Sequence, residues 1–451
     1  MSDNTAIDLS AIAERVVAQA SGGEIVDVMV GRSRSTTVRV YEGDVESFTS
    51  AESFGIGIRV LRDGRQGFAS AGSLDPDVVA ETLAESRDNV PFGEVDEYSG
   101  LADPDGVEAV NHDHWVQELA DLDAATKIEL ALDLERRVRA GDPRITGVRT
   151  AAWGDSAGEM AYAASNGIRV ADRGTSCSIG VQALSTDGTD TQIGAAGDAA
   201  RRLADLDVDR VVADAVERAT RLLGATQPRS ARLSIVIEPR LAVTLLGIVA
   251  DMLDGESLIK GRSPFADRVG EAIASPLLTL TDDPTNPLSI GATAFDGEGL
   301  ACRRNALLVG GVLGGFLHNS STARRVGTVS TASALRGARS LPGVGAQVLV
   351  MEPGVRSLDD MISGLDEALM VNSFAGLHSG VNPVSGDFSV GADGVMIRGG
   401  ALAEPVREIT LASTLQRMLL DILEVGGDLE WLSSGDAAAS LVIGDVALSG
   451  R

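Results

Sequence analysis

From Ala231 onward the chain changes texture: short apolar runs alternate with glycines and long loops, a pattern that admits strands and tight turns but few long helices. Residues 233–237 form one continuous β-rich run, and 242–253 read as a helix. Two later helices are expected. Ser357-Leu-Asp-Asp360 supplies a capping signal before 358–370, and 415–423 precedes the stop at Gly426-Gly427. Gly310-Gly311 and Gly314-Gly315 lack dinucleotide-loop spacing, and Gly343-Val-Gly345 lacks a third glycine, so bends or close backbone packing explain them better than phosphate binding. No fixed-period repeat is present, which argues against solenoids and propellers.

Upstream of this region two units mix both periodicities. In residues 1–92, Leu9, Ile12, Ala13, Val16, Val17 and Ala20 recur at helical spacing. Strand-like segments follow at 25–30, 37–41, 45–49 and 55–61, with Gly43, Gly64 and Gly72 as turns, and a helix over 75–86 closes the unit. Residues 93–113 are acidic, contain Gly and Pro, and lack periodicity, as a linker does. In 114–228, a helix over 124–140 precedes strands at 145–153, 159–164 and 178–183, with a hairpin turn at Asn166-Gly167 and an amphipathic helix over 208–223. The expected class is α+β: two N-terminal α/β units, the first with helices on one face of an antiparallel sheet, then a β-rich C-terminal domain over 229–451.

A chain of 451 residues exceeds what one hydrophobic core organises, so several domains are expected. The balance of 65 Asp and Glu against 38 Lys and Arg gives a net charge of −27, which disfavours direct nucleic-acid binding. The N-terminal MSDNTAIDLS has neither the basic start nor the apolar core of a secretory signal, and the apolar run 306–317 is well short of the ~20 residues a membrane helix needs. Cys177 and Cys302, far apart in sequence, read as small buried hydrophobes with reduced thiols, and the expected location is the cytoplasm.

Segments 295–325 and 379–400 carry Phe295-Asp-Gly-Glu-Gly299, Gly311-Val-Leu-Gly-Gly-Phe-Leu317, Thr322-Ala-Arg-Arg325, Gly386-Asp-Phe-Ser389 and Gly394-Val-Met-Ile-Arg-Gly-Gly400, and Val425-Gly-Gly-Asp428 follows them. In order and spacing these blocks resemble the PmbA/TldD family, once called modulators of DNA gyrase, and most of all its TldE (PmbA) branch. Weaker similarity extends over nearly the whole chain. The resemblance implies two α/β units, a β-rich third domain, and one half of a two-subunit zinc peptidase acting on unfolded or flexible peptides. It also implies that the TldD-type subunit carries a His-Glu-x-x-x-His helix and a further metal-binding cysteine near its C-terminus, while the other subunit lacks them.

Zinc requires imidazole or thiolate donors converging on one ion, with a carboxylate near enough to take a proton from bound water. Histidines five apart on a regular helix lie about 140° from facing one another, so that motif also needs a local helix break. The corresponding helix here reads Leu241-Ala-Val-Thr-Leu-Leu-Gly-Ile-Val-Ala-Asp-Met-Leu-Asp-Gly255, without His or Glu. One register sets Leu246, Gly247 and Asp251 at the motif positions; a one-residue shift sets Gly247, Ile248 and Met252 there. Neither set holds zinc, and residues 433–451 contain no cysteine. The expectation is therefore no catalytic residue, metal ligand or cofactor in this chain, with zinc in a TldD-like partner.

Asp296 and Glu298 are a carboxylate pair between glycines: they either meet a peptide or partner, or cap turns and bond Arg303 or Arg304 just downstream. His378 lies in the loop 376–380, and Asn382 and Asp387 belong to a loop placed to border a peptide groove or to serve as a connector. His112 and His114 have the spacing of a donor pair or of surface histidines, and His318 suits a turn. The alternatives are an independent peptidase or hydrolase built on His378, His318 or Cys302, and a regulatory peptide-binding protein.

Overall fold

The computed structural model describes residues 7–451; residues 1–6, the start of the polar N-terminal segment, lie outside the described residues. The first helix, α1 (Leu9–Val17), starts where the Ala11 amide donates to Asp8 Oδ1 at 2.9 Å, and it buries Leu9, Ile12, Ala13, Val16 and Val17. The strands β1 (Ile25–Tyr41) and β2 (Asp44–Arg62) then form a hairpin whose turn, Glu42-Gly43, has positive φ at both residues. Each of these strands replaces two shorter expected ones. The polar stretch Arg32 to Thr36 reads as an interruption, yet it stays extended because it is paired on one side with β2 and on the other with β4 (Ile145–Ala164).

The strand β3 (Arg65–Ala71), the helix α2 (Pro76–Asn89), the short α3 (Gln117–Ala120) and the long α4 (Ala124–Ala140) lie between β2 and β4 in sequence. The strands β5 (Arg169–Thr186) and β6 (Thr191–Ala200) and the helix α5 (Val208–Thr220) follow. Here too β4 runs unbroken where two strands were expected, and Gly167 at φ 102° makes the β4–β5 turn. The sheet order is β3-β2-β1-β4-β5-β6, so the β1–β4 ladder joins the first two units in one antiparallel sheet.

Alternation along β1 assigns its two faces. Val26, Val28 and Val30 pack with α1 and α2, and Val38 and Val40 pack with α4 and α5, so the helices cover one face. Met29 on the opposite face packs with Leu300 and Ala332 of the C-terminal region. Residues 93–116 carry no helix or strand, but they are pinned to that region: Arg303 pairs with Asp105, Arg325 with Asp96, and His112 Nε2 lies 2.8 Å from Thr285 O.

The C-terminal region begins with β7 (Ala231–Ile237), α6 (Pro239–Asp251) and α7 (Gly255–Ile259). Pro239 starts α6 three residues before the expected 242, because its fixed φ suits a first helical position. Next come β8 (Leu280–Asp282), β9 (Asn305–Val309), β10 (Val312–Leu313), α8 (Ser320–Val326), the small ribbon β11 (Ala334–Leu335) and β12 (Gly343–Val344), and β13 (Leu349–Met351). The helix expected over 358–370 is only α9 (Leu358–Ser363). It ends at Gly364, and β14 (Glu367–Ala375) then pairs parallel with β7 in the middle of a sheet, where ladder bonding overrides helical spacing.

The remaining elements are α10 (Leu377–Gly380), β15 (Asp387–Arg398), β16 (Ala401–Thr414), α11 (Leu415–Leu420), β17 (Ile422–Val425), β18 (Glu430–Trp431), β19 (Ala437–Ala438) and β20 (Leu441–Ser449). The order β16-β15-β14-β7-β20 closes on itself through Thr410↔Ser449, Leu411↔Leu448 and Ala412↔Ala447, which makes a barrel. A second sheet runs β10-β9-β8-β13-β19-β18. Leu241, Leu245, Leu246 and Val249 of α6 share one core with barrel residues such as Ile235 and Leu369 and with Leu280 and Leu349 of the second sheet.

Candidate functional site

The helix α6 packs its apolar side into that core and turns Thr244, Ile248 and Asp251 toward a cavity of about 530 Å³. The opposite wall is the α10 segment with His378, followed by Val381, Pro383 and Val384. Gly376, at φ 73°, reverses the chain into α10, leaving His378 exposed. The next loop is held by its own polar atoms: Asn382 Oδ1 accepts from the Val384 amide at 3.0 Å, the Asn382 amide donates to Asp387 O at 2.9 Å, and Ser385 Oγ donates to Asp387 Oδ2 at 2.7 Å. Asn382 and Asp387 thus shape the loop at the cavity rim.

Asp251 and Asp254 are the acidic groups of the cavity. Burial, followed by the charge of Asp254, raises the Asp251 carboxyl. Burial also raises that of Asp254, against the Ser257 amide, which donates to its Oδ1 at 2.6 Å.

The residues present do not fit a zinc ion. Leu246 is 1 % exposed in the core, Gly247 has no side chain, Ile248 and Met252 carry no side-chain nitrogen or oxygen, and Asp251 alone brings a carboxylate. Among the described residues no three His, Cys, Asp or Glu side chains converge as a metal would require.

Asp296 and Glu298 lie elsewhere, buried at 2 % and 1 % exposure. Asp296 Oδ1 accepts from the amides of Glu298 at 2.9 Å and Leu300 at 3.0 Å, and Oδ2 accepts from that of Ala334 at 3.1 Å. Glu298 Oε2 accepts from the Ser320 amide at 2.8 Å, at the first residue of α8. Neither carboxylate pairs with the downstream arginines. Arg303 goes to Asp105, and Arg304 to Glu352 at 3.4 Å. Burial, then the Glu298 charge, pushes the Asp296 carboxyl up to about 7 despite its three amide partners.

Among the described residues no nucleophilic dyad assembles at the cysteines or at His318. Cys302 Sγ lies 3.5 Å from Gln347 Oε1 and burial raises its thiol; burial likewise pushes Cys177 up to about 12. His318 Nδ1 lies 3.2 Å from Thr322 Oγ1. His112 and His114 stack with ring centroids 5.6 Å apart, an arrangement that aims no shared pair of nitrogens at an ion.

Sequence reasoning passed over Asp27. It sits on the side of β1 turned away from the helices, 0 % exposed beneath the C-terminal region, and accepts from Arg59 Nε at 2.9 Å and from Arg336 Nη1 at 2.8 Å. Tyr162 closes the cluster, its hydroxyl 3.4 Å from Asp27 Oδ2. Arg336 comes from the segment after β11, so one carboxylate ties the six-stranded sheet to the C-terminal region. The signal was present: a lone acid inside Ile25-Val-Asp-Val-Met-Val30.

Comparison with known proteins accords with this architecture. Three family descriptions match in chain order: PmbA/TldA metallopeptidase domain 1 over residues 26–90, the central domain over 117–223 and the C-terminal domain over 230–450. "Metalloprotease PmbA" of Escherichia coli O157:H7 is 25% identical over 426 residues, covering 94% of this chain and 92% of its own length. "Metalloprotease TldD homolog" of Haemophilus influenzae is 26% identical, covering 79% of this chain and 76% of its own. The crystal structure of TldE from Thermococcus kodakarensis superposes with a TM-score of 0.88 at 25% identity, covering 98% of this chain and 99% of that one.

Proposed function

The chain belongs to the PmbA/TldD metallopeptidase family, and on that premise we propose that it is the metal-free, TldE-like subunit of a two-chain peptidase. Its partner is a zinc-bearing TldD-like chain, and their shared substrate is an unfolded or flexible peptide in the cytoplasm. The units are 1–92, 114–228 and 229–451, with 93–113 linking the first two.

The observation that carries this reading is the donor-poor face of α6. Hydrolysis by a zinc peptidase needs a bound water made acidic by the metal and a carboxylate to accept its proton. Here Thr244, Ile248 and Asp251 face the cavity, and the donors nearest to hand, Asp251, Asp254 and His378, do not converge. The cavity wall and its rim loop therefore bind and enclose, while the bond-breaking step belongs to the partner. Among the described residues no helix is long and apolar enough to cross a membrane, in keeping with a peptidase that meets peptides in water.

The test is reconstitution. Each chain and the equimolar mixture are given an unstructured peptide, and cleavage is followed by mass spectrometry. The reading predicts no cleavage by this chain alone and chelator-sensitive cleavage by the mixture. Chelator-sensitive cleavage by this chain alone overturns it.

A further inference from the structure

Between the six-stranded sheet with α5 at its β6 edge and the C-terminal region runs a cleft of about 900 Å³. Five arginines line it, Arg39, Arg149, Arg210, Arg218 and Arg240, against two acids, Glu46 and Glu430. In a chain of net charge −27 this lining reverses the prevailing sign.

Three of the arginines are fixed by the fold. Arg210 reaches Asp198 at 3.0 Å and Glu430 at 2.7 Å; Arg218 reaches Asp214 at 3.0 Å and donates to Ala195 O at 3.1 Å; Arg240 reaches Glu238 at 3.5 Å. Among the described residues, Arg218 Nε and Arg240 Nε are buried without an acceptor. Arg240 is crowded as a cation: burial, then the Arg218 charge, lowers its pKa.

Arg39 and Arg149 are exposed, and among the described residues neither has a carboxylate partner. Their placement is built into the ladders. Val148 pairs with Ala183 and Thr150 with Gln182, so Arg149 is the extra residue of a bulge in β4. Arg39 pairs with Ser47 and Val40 with Val45, so Glu46 is the extra residue of a bulge in β2. A bulge re-aims a side chain that regular alternation would place otherwise. Two of them border this one cleft, whose floor of Gly180, Ala195 and Gly197 leaves room for a main chain.

We propose that the cleft binds an acidic stretch of an extended peptide, its Asp and Glu carboxylates engaging Arg39 and Arg149 in the way Glu430 of the cleft engages Arg210. Guanidinium forks match carboxylates two bonds at a time. The choice of a peptide as the bearer of those carboxylates rests on the peptidase reading above.

The experiment measures fluorescence anisotropy of a labelled Glu-rich decapeptide and of its Gln counterpart with the full chain at low and high salt. The Glu peptide is expected to bind at least about tenfold more tightly, with the advantage shrinking in salt and vanishing in the R39E/R149E variant. Both positions are exposed and unpaired, so the variant is expected to fold; circular dichroism checks this, and R39Q/R149Q is the milder substitute. Equal binding of the two peptides, or binding indifferent to both variants, overturns the proposal. Stronger competition by tripolyphosphate or single-stranded RNA than by unlabelled Glu peptide overturns it as well. None of these outcomes bears on the subunit reading, which is decided by cleavage in the two-chain mixture.

Discussion

Removing the Asp27 carboxylate is expected to destabilise the protein by about 3–5 kcal/mol, the cost of breaking a buried ion pair from one side. The side chains of Asp27 and Arg336 are fully buried and that of Arg59 is 5 % exposed. In Asp27→Ala both guanidiniums lose their shared carboxylate while they stay buried. Glu298 also favours the charged form of Arg59, but its oxygen is committed to the Ser320 amide, so it substitutes poorly. Urea denaturation followed by circular dichroism measures the loss, and the transition should split if the sheet and the C-terminal region come apart separately. The companion variant, Asp27→Leu with Arg59→Met and Arg336→Met, removes the charges together and should lie within about 1 kcal/mol of the parent or above it. A loss below about 1 kcal/mol for Asp27→Ala, or a triple variant as damaged as the single one, refutes the reasoning.

A Cβ at Gly57 would run into Ala338 O, where the segment after β11 crosses the sheet, so Gly57→Ala should cost about 1–3 kcal/mol in urea and speed proteolysis near 336–340. Asn319 accepts from the Thr322 amide at 2.8 Å in the capping box of α8, and Asn319→Ala should cost about 1 kcal/mol by the same assay. Asp296 has a raised carboxyl, about 7 when folded, so its stabilisation is complete below about pH 4 and is lost as pH rises through 7; from pH 4 to 7 the parent should lose stability more steeply than Asp296→Asn. For Asp27, burial opposes ionisation but Arg59 and Arg336 prevail and hold the carboxyl low. Its contribution is present above about pH 4 and disappears as pH falls through the folded value, which Asp27→Ala should reveal as a flatter acid limb. Cys177 and Cys302 are buried with raised thiols, so an aromatic disulfide reagent should label neither in native protein and both in urea.

Local signals were read well where they are self-contained. The helix α4 starts and stops where expected, at 124 and 140, because Asp123 caps its start, accepting from Thr126 N at 3.0 Å, and Gly141 ends it. The α/β units followed by a β-rich region, and the helix that becomes α6, were likewise legible. Long-range pairing was not. Polar Arg32 to Thr36 in β1 and Gly154 to Gly158 in β4 stay extended because each is a central strand, paired with β2 or β5 on one side and with the other across more than a hundred residues, and Ala368 to Val371 are strand because β7 lies beside them. The arginine cleft was invisible for the same reason: Arg39, Arg149, Arg210, Arg218 and Arg240 come from four elements and meet only after the sheet and its bulges have formed.

The central claim is that this chain lacks the donors for a catalytic metal, and the most direct measurement is its zinc content after saturation with zinc and exhaustive dialysis, by atomic emission against a TldD-like chain treated identically. The account predicts zinc near one per TldD-like chain and none retained here beyond adventitious traces. Zinc held here at one per chain, and lost on substitution of Asp251, Asp254 or His378, would contradict it.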